Sequence, residues 1–87
     1  MQPLNYAILK YFTNVKEACA DDVINALKGD YGKFKALRKN AVIEALMTAE
    51  ANGLLEETRI EFDAQHNLRV YYHAHQEGID TINTYIK

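Results

Sequence analysis

Serine is absent from this chain, which removes every hydrolase built on a serine nucleophile. A single cysteine, Cys19, excludes an internal disulfide and a thiolate zinc cluster, and favours a reducing compartment or leaves the compartment open. No apolar run approaches the roughly 20 residues that a membrane span requires, so no membrane partner is expected. The opening Met1-Gln2-Pro3-Leu4 lacks the basic region and following apolar stretch of an export signal. A cytoplasmic setting is therefore expected. Basic residues are not in excess either. Ten Lys and Arg against twelve Asp and Glu leave a net charge of −2, which is not the balance of a protein that coats nucleic acid indiscriminately. What remains is 87 residues, 48% hydrophobic and 25% charged, the composition of one globular domain spanning 1–87. A chain this short buries about 60% of its unfolded surface, enough for one modest core.

The distribution of charge says more than its sum. Between Lys28 and Lys39 five basic residues (Lys28, Lys33, Lys35, Arg38, Lys39) stand with one acid, Asp30, a local +4. The remainder holds five basic and eleven acidic residues, hence −6.

Apolar periodicity predicts a first helix over 3–15, with Leu4, Ala7, Ile8, Tyr11, Phe12 and Val15 on one face and Tyr6, Leu9 and Lys10 opposite. Pro3 suits the first helical position. A second helix is expected over about 20–28, with Asp21 and Asp22 at its start, Val23, Ile24 and Leu27 inward, and Gly29 ending it. Gly29-Asp30-Tyr31-Gly32 reads as a turn. The strongest helical signal covers about 40–52, with a stripe of Val42, Ala45, Leu46 and Ala49 and a stop at Asn52-Gly53. The period then changes to two. Thr58, Ile60 and Phe62, and after a polar turn Leu68, Val70, Tyr72 and Ala74, describe two amphipathic strands of a hairpin. Ile79, Ile82 and Ile86 mark a short last helix from about Gln76.

The expected class is thus α+β, mostly α: three helices, a two-stranded hairpin and a short C-terminal helix. That order, together with the run from Val42 to Leu55 and the stretch from Val70 to Gly78, resembles the winged helix-turn-helix family, and the spacing from Val23 to Gly53 is similar to that of PadR-type regulators. The resemblance implies a hairpin wing, a third helix that reads DNA and a double-stranded DNA partner. Three departures stand out. Ala74-His75 replaces the usual Leu-Thr, Ile43 stands where the PadR third helix carries Tyr, and the wing turn has no basic Gly-Arg-Pro type sequence. An isolated hairpin is barely stable. Ile60, Phe62, Leu68, Val70 and Tyr72 are therefore expected to pack on Leu4, Ile8, Val23, Leu27, Leu46 and Ala49.

Candidate DNA contacts follow from charge and position. Lys33, Lys35, Arg38, Lys39 and Asn40 precede or open the third helix, where Arg38 could read guanine and Asn40 adenine. The ordinary alternative is a solvated face. In the wing, His66 and Arg69 could touch phosphate, although Glu56, Glu57, Glu61 and Asp63 surround them and Arg69 has Glu61 as a cross-strand partner. His73 and His75 share a strand face but lack a fixed third ligand, so no metal is expected. Cys19, with Asp21 and Asp22 close by, reads as structural rather than reactive. No spacing suggests a catalytic constellation or a phosphate loop, so neither an enzyme nor a cofactor is expected. Tyr6, Leu9, Ile79, Ile82, Tyr85 and Ile86 are candidates for a homodimer interface, the three isoleucines alternatively closing the monomer's core. Two functions compete: a small DNA-binding transcriptional regulator, and a winged-helix module that binds protein instead.

Overall fold

Helix α1 (Leu4–Phe12) starts where the Pro3 carbonyl accepts hydrogen bonds from the N–H groups of Tyr6 and Ala7, at 3.0 and 3.1 Å. It ends three residues before the apolar stripe does. The Thr13 hydroxyl and the Asn14 amide both donate to the Lys10 carbonyl, at 2.7 and 3.3 Å, drawing the backbone out of the helix. Helix α2 (Ala20–Tyr31) is closed at its start by Asp22, whose carboxylate accepts the Cys19 backbone N–H at 3.0 Å and the Cys19 thiol at 3.4 Å. Cys19 is buried, in keeping with a structural role. The helix runs past Gly29, the expected stop, because Tyr31 holds its last turn. Tyr31 is buried, donates its hydroxyl to the Gln2 carbonyl at 2.6 Å, and meets the Phe34 ring edge-on at 5.3 Å between centroids.

A single 3-10 turn (Lys35–Leu37) leads into α3 (Lys39–Ala51). Val42, Leu46 and Ala49 form the buried stripe of α3, as the period predicts. Gly53, at φ +77°, reverses the chain, and the Leu54 N–H reaches back to the Ala49 carbonyl at 2.9 Å. Strands β1 (Glu56–Phe62) and β2 (Leu68–His73) pair antiparallel, with Ile60 opposite Val70, Phe62 opposite Leu68, and a bulge between Glu57 and Arg59. Helix α4 (Gln76–Tyr85) follows, and Gly78 brings it directly over the Leu54 carbonyl, where a Cβ would sit 2.6 Å from that oxygen. At its start the His75 imidazole accepts the Gly78 N–H at 3.4 Å, taking the place of the usual capping hydroxyl.

One element has no periodic signature. Ala18, between α1 and α2, exchanges two 2.9 Å backbone hydrogen bonds with Tyr72, adding a one-residue third strand to the free edge of β2. The whole is an α+β, mostly helical, winged-helix-like arrangement. Among the described residues, 2–87 of this computed structural model, no helix is long and apolar enough to cross a membrane.

The core joins α1, α2, α3 and the hairpin base through Ile8, Phe12, Val23, Val42, Leu46 and Tyr72, with Leu27 packed at its margin. Two expectations are corrected here. Ile60, Phe62 and Leu68 do not enter the core; they are 52%, 68% and 50% exposed. The hairpin projects past the helices, so of its five expected core residues only Val70 and Tyr72, near its base, pack on the core. Ile82 and Ile86 lie in the subunit's own interior, where α4 packs on α1, and cannot form a dimer face; Ile79 is partly buried against the same core. Leu46→Ala should therefore cost about 2–5 kcal/mol in urea unfolding. Phe62→Ala should stay within about 1 kcal/mol of wild type.

Candidate functional site

The buried stripe of α3 leaves Asn40, Ile43, Glu44 and Met47 on its exposed side. Ile43 and Met47 are four residues apart and so align on one face. Directly paired strand residues also share a face, which places Ile60 beside Val70 and Phe62 beside Leu68. These two faces confront each other. Ile43 and Met47 form one wall and Leu68 and Val70 the other of a cleft of about 300 Å³, floored by Ala20, Leu46 and Tyr72. Of the exposed large hydrophobic side chains, Ile43, Met47, Ile60, Phe62 and Leu68 all belong to this concave side.

Charges gather at one end of the cleft. There Asp21 serves both Lys39, whose Nζ lies 3.4 Å away, and Arg69, whose Nε lies 3.6 Å away. That Nε is buried without a hydrogen-bond partner. Arg69 therefore turns back to α2, rather than pairing with its cross-strand neighbour Glu61 as expected. Burial raises the Tyr72 phenol above its usual pKa, and the charges of Glu50 and then Glu57 add to the effect.

The convex side of the hairpin is polar and tightly connected. Arg59 stacks over the Tyr71 ring at 3.9 Å, donates to Glu17 at 2.8 Å and pairs with Glu61. The Thr58 hydroxyl donates to Glu17 at 3.0 Å. These bonds fasten the hairpin to the segment that carries Ala18. At the tip, the Asp63 carboxylate accepts the N–H groups of Gln65 and Asn67 at 2.9 and 2.8 Å, and these bonds lower its pKa.

The remaining sequence candidates fall in separate places. Lys33, Lys35 and Arg38 are exposed on the segment before α3, and none makes an ion pair with a described residue. Leu37 anchors that segment, while Phe34 is half exposed. Lys39 is bound to Asp21, and Asn40 is exposed in the first turn of α3. His66 sits in the hairpin turn at φ 61°. His73 lies 3.6 Å from Glu56, whereas His75 caps α4. Tyr6 and Tyr85 are exposed at α1 and α4, and Leu9 is partly buried. Ile43 and Met47 are not among the sequence candidates, although the stripe of α3 already leaves both outside as apolar residues. No protein-family model matches the chain, and no curated protein matches it.

The Arg59–Glu17 contact gives a pH test. Hydrogen bonding from Arg59, and secondarily from Thr58, holds the Glu17 carboxyl below its ordinary value of 4.5. A carboxyl lowered in the folded state adds stability above its unfolded pKa and loses it as pH falls through the folded one. Glu17→Gln should flatten the decline in urea-unfolding stability between about pH 5 and about pH 3. An unchanged pH profile would mean that the contact does not hold the hairpin.

Proposed function

We propose that this chain is a winged-helix protein-interaction module, and that a partner protein docks in the cleft between α3 and the hairpin. The carrying observation is the concentration of exposed Ile43, Met47, Ile60, Phe62 and Leu68 on one concave face. Scattered exposed hydrophobics need no explanation, but a contiguous apolar patch on a small domain marks an interaction surface. The chemistry of α3 favours the same reading. A helix that enters the major groove presents groups such as Arg, Lys, Asn or Gln to base edges. Here Asn40 is followed on the exposed side by Ile43, Glu44 and Met47. Glu56, Glu57 and Glu61 on β1 would also meet phosphate with like charge.

One observation favours a DNA-binding transcriptional regulator as the second reading. Lys33, Lys35 and Arg38 are exposed immediately before α3, without ion-pair partners among the described residues. Two measurements separate the readings. Selection from a displayed random-peptide library should enrich ligands on the wild type, and fail on the Ile43→Asp, Met47→Asp double variant. Fluorescence anisotropy with pooled random duplexes should find only weak, sequence-indifferent binding that fades with salt. Enrichment of one duplex sequence, with a loss of about 1–3 kcal/mol on Arg38→Ala or Asn40→Ala, would instead establish the regulator.

A further inference from the structure

Resting on that reading, we infer that the occupant of the cleft is a short extended segment of a partner protein. It pairs with the outer edge of β2, is apolar at alternate positions and is acidic at one end.

The backbone of β2 selects the conformation. Along an antiparallel strand, residues turn their N–H and C=O groups alternately to one side and to the other. Tyr72 turns both of its groups toward Ala18, whereas the Asn67 carbonyl accepts the Asp63 N–H on the β1 side. The irregularity in register lies in β1, so the alternation along β2 is unbroken. Leu68 and Val70 therefore point their N–H and C=O groups outward, in line with Tyr72, and these have no backbone partner among the described residues. Both residues line the cleft. An extended segment brings free N–H and C=O groups to such an edge, whereas a helix has already bonded its own internally. Strand addition to an exposed edge is an established recognition mode, and Ala18 already forms one rung of it within the chain.

The cleft selects the edge. The sheet has a second free edge, on β1, but no β1 residue lines the cleft. On β2 the open stretch covers Leu68 and Val70, about 7 Å of strand, between the hairpin turn and the Ala18 bridge. Cys19, Ala20 and Asp21, where the chain leaves that bridge to enter α2, border the same space. Side chains of a paired segment alternate between the two sheet faces. Those on the face of Leu68, Val70 and Tyr72 would meet Ile43 and Met47, which sets the apolar positions.

Charge selects the end. Lys39 and Arg69 against Asp21, the charged residues that line the cleft, leave a net +1. The two cations share the one carboxylate. A second carboxylate, carried by the segment, complements them. A second copy pairing through the same edge about a twofold axis would instead bring two positive ends toward each other.

Peptides enriched from the displayed random library on the full chain provide the test. Each is also made N-methylated at alternate residues, in two registers, which removes the donors from one side of an extended peptide or from the other. One register should weaken binding about tenfold or more and the other leave it within about twofold, because a single side faces β2. Amide hydrogen exchange at Leu68 and Val70 should slow about tenfold or more in the complex, while Arg69 and Tyr71, turned toward β1, change little. Leu68→Pro removes an outward N–H without touching the β1 ladder, and should weaken binding about tenfold beyond Leu68→Ala. Selection repeated on Lys39→Glu should replace Asp and Glu at the end of the peptides by Lys and Arg. Equal loss in both registers, loss in neither, or unslowed exchange at Leu68 and Val70 overturns the inference, and cleft-dependent ligands then leave the interaction reading standing. Enrichment of basic rather than acidic peptides on the wild type overturns it too. So does self-association in sedimentation that Leu68→Pro abolishes, since the occupant is then a second copy. If selection yields no cleft-dependent ligand, both readings fall.

Discussion

Two hydrogen bonds between Ala18 and Tyr72, each 2.9 Å, determine how this molecule faces its surroundings. A two-stranded hairpin is marginal in isolation, and only the base of this one touches the helical body. Pairing with Ala18 fixes the edge of β2 beside the start of α2. Arg59 and Thr58 then fasten the other face of the hairpin to Glu17. Because Ala18 and Glu17 are rooted between α1 and α2, the hairpin stands at a fixed distance from α3. That standoff makes a cleft out of what would otherwise be a packed interface.

The same constraint sorts the side chains by role. Tyr72 and Val70 sit low enough on the hairpin to reach the helices and contribute to stability. Phe62, Leu68 and Ile60 stand too high and remain exposed. Across from them α3 offers Ile43 and Met47, and Asp21 holds Lys39 and Arg69 together at one end of the cleft. The charges best able to meet a polyanion, Lys33, Lys35 and Arg38, belong to the approach to α3 instead. Those three do not line the cleft, whose walls are the apolar Ile43, Met47, Leu68 and Val70.

Periodicity carried much of the fold. The stripe of Val42, Leu46 and Ala49 and the stop at Gly53 were readable because a helix imposes both locally. The hairpin was readable from alternation and its polar turn. Alternation states which residues share a face, however, and not what that face meets. Alternation alone therefore points Ile60, Phe62 and Leu68 to the core, whereas the height of the hairpin leaves them outside. Ile82 and Ile86 posed the converse ambiguity, since an apolar stripe on a last helix fits an interior or an interface equally well. A one-residue strand at Ala18 has no period, and the turn of Arg69 toward Asp21 joins residues 48 positions apart. Such pairings are set by tertiary geometry alone.

As proposed, the α3–hairpin face is a protein-docking surface rather than a DNA-reading one. Amide chemical-shift mapping during titration with pooled random duplex DNA at low salt addresses it most directly. Any shifts should be confined to the segment from Lys33 to Arg38, with Ile43, Met47 and Leu68 unmoved. Concerted shifts running from Asn40 along Ile43 and Met47 and across to Leu68, saturating with DNA, would contradict it.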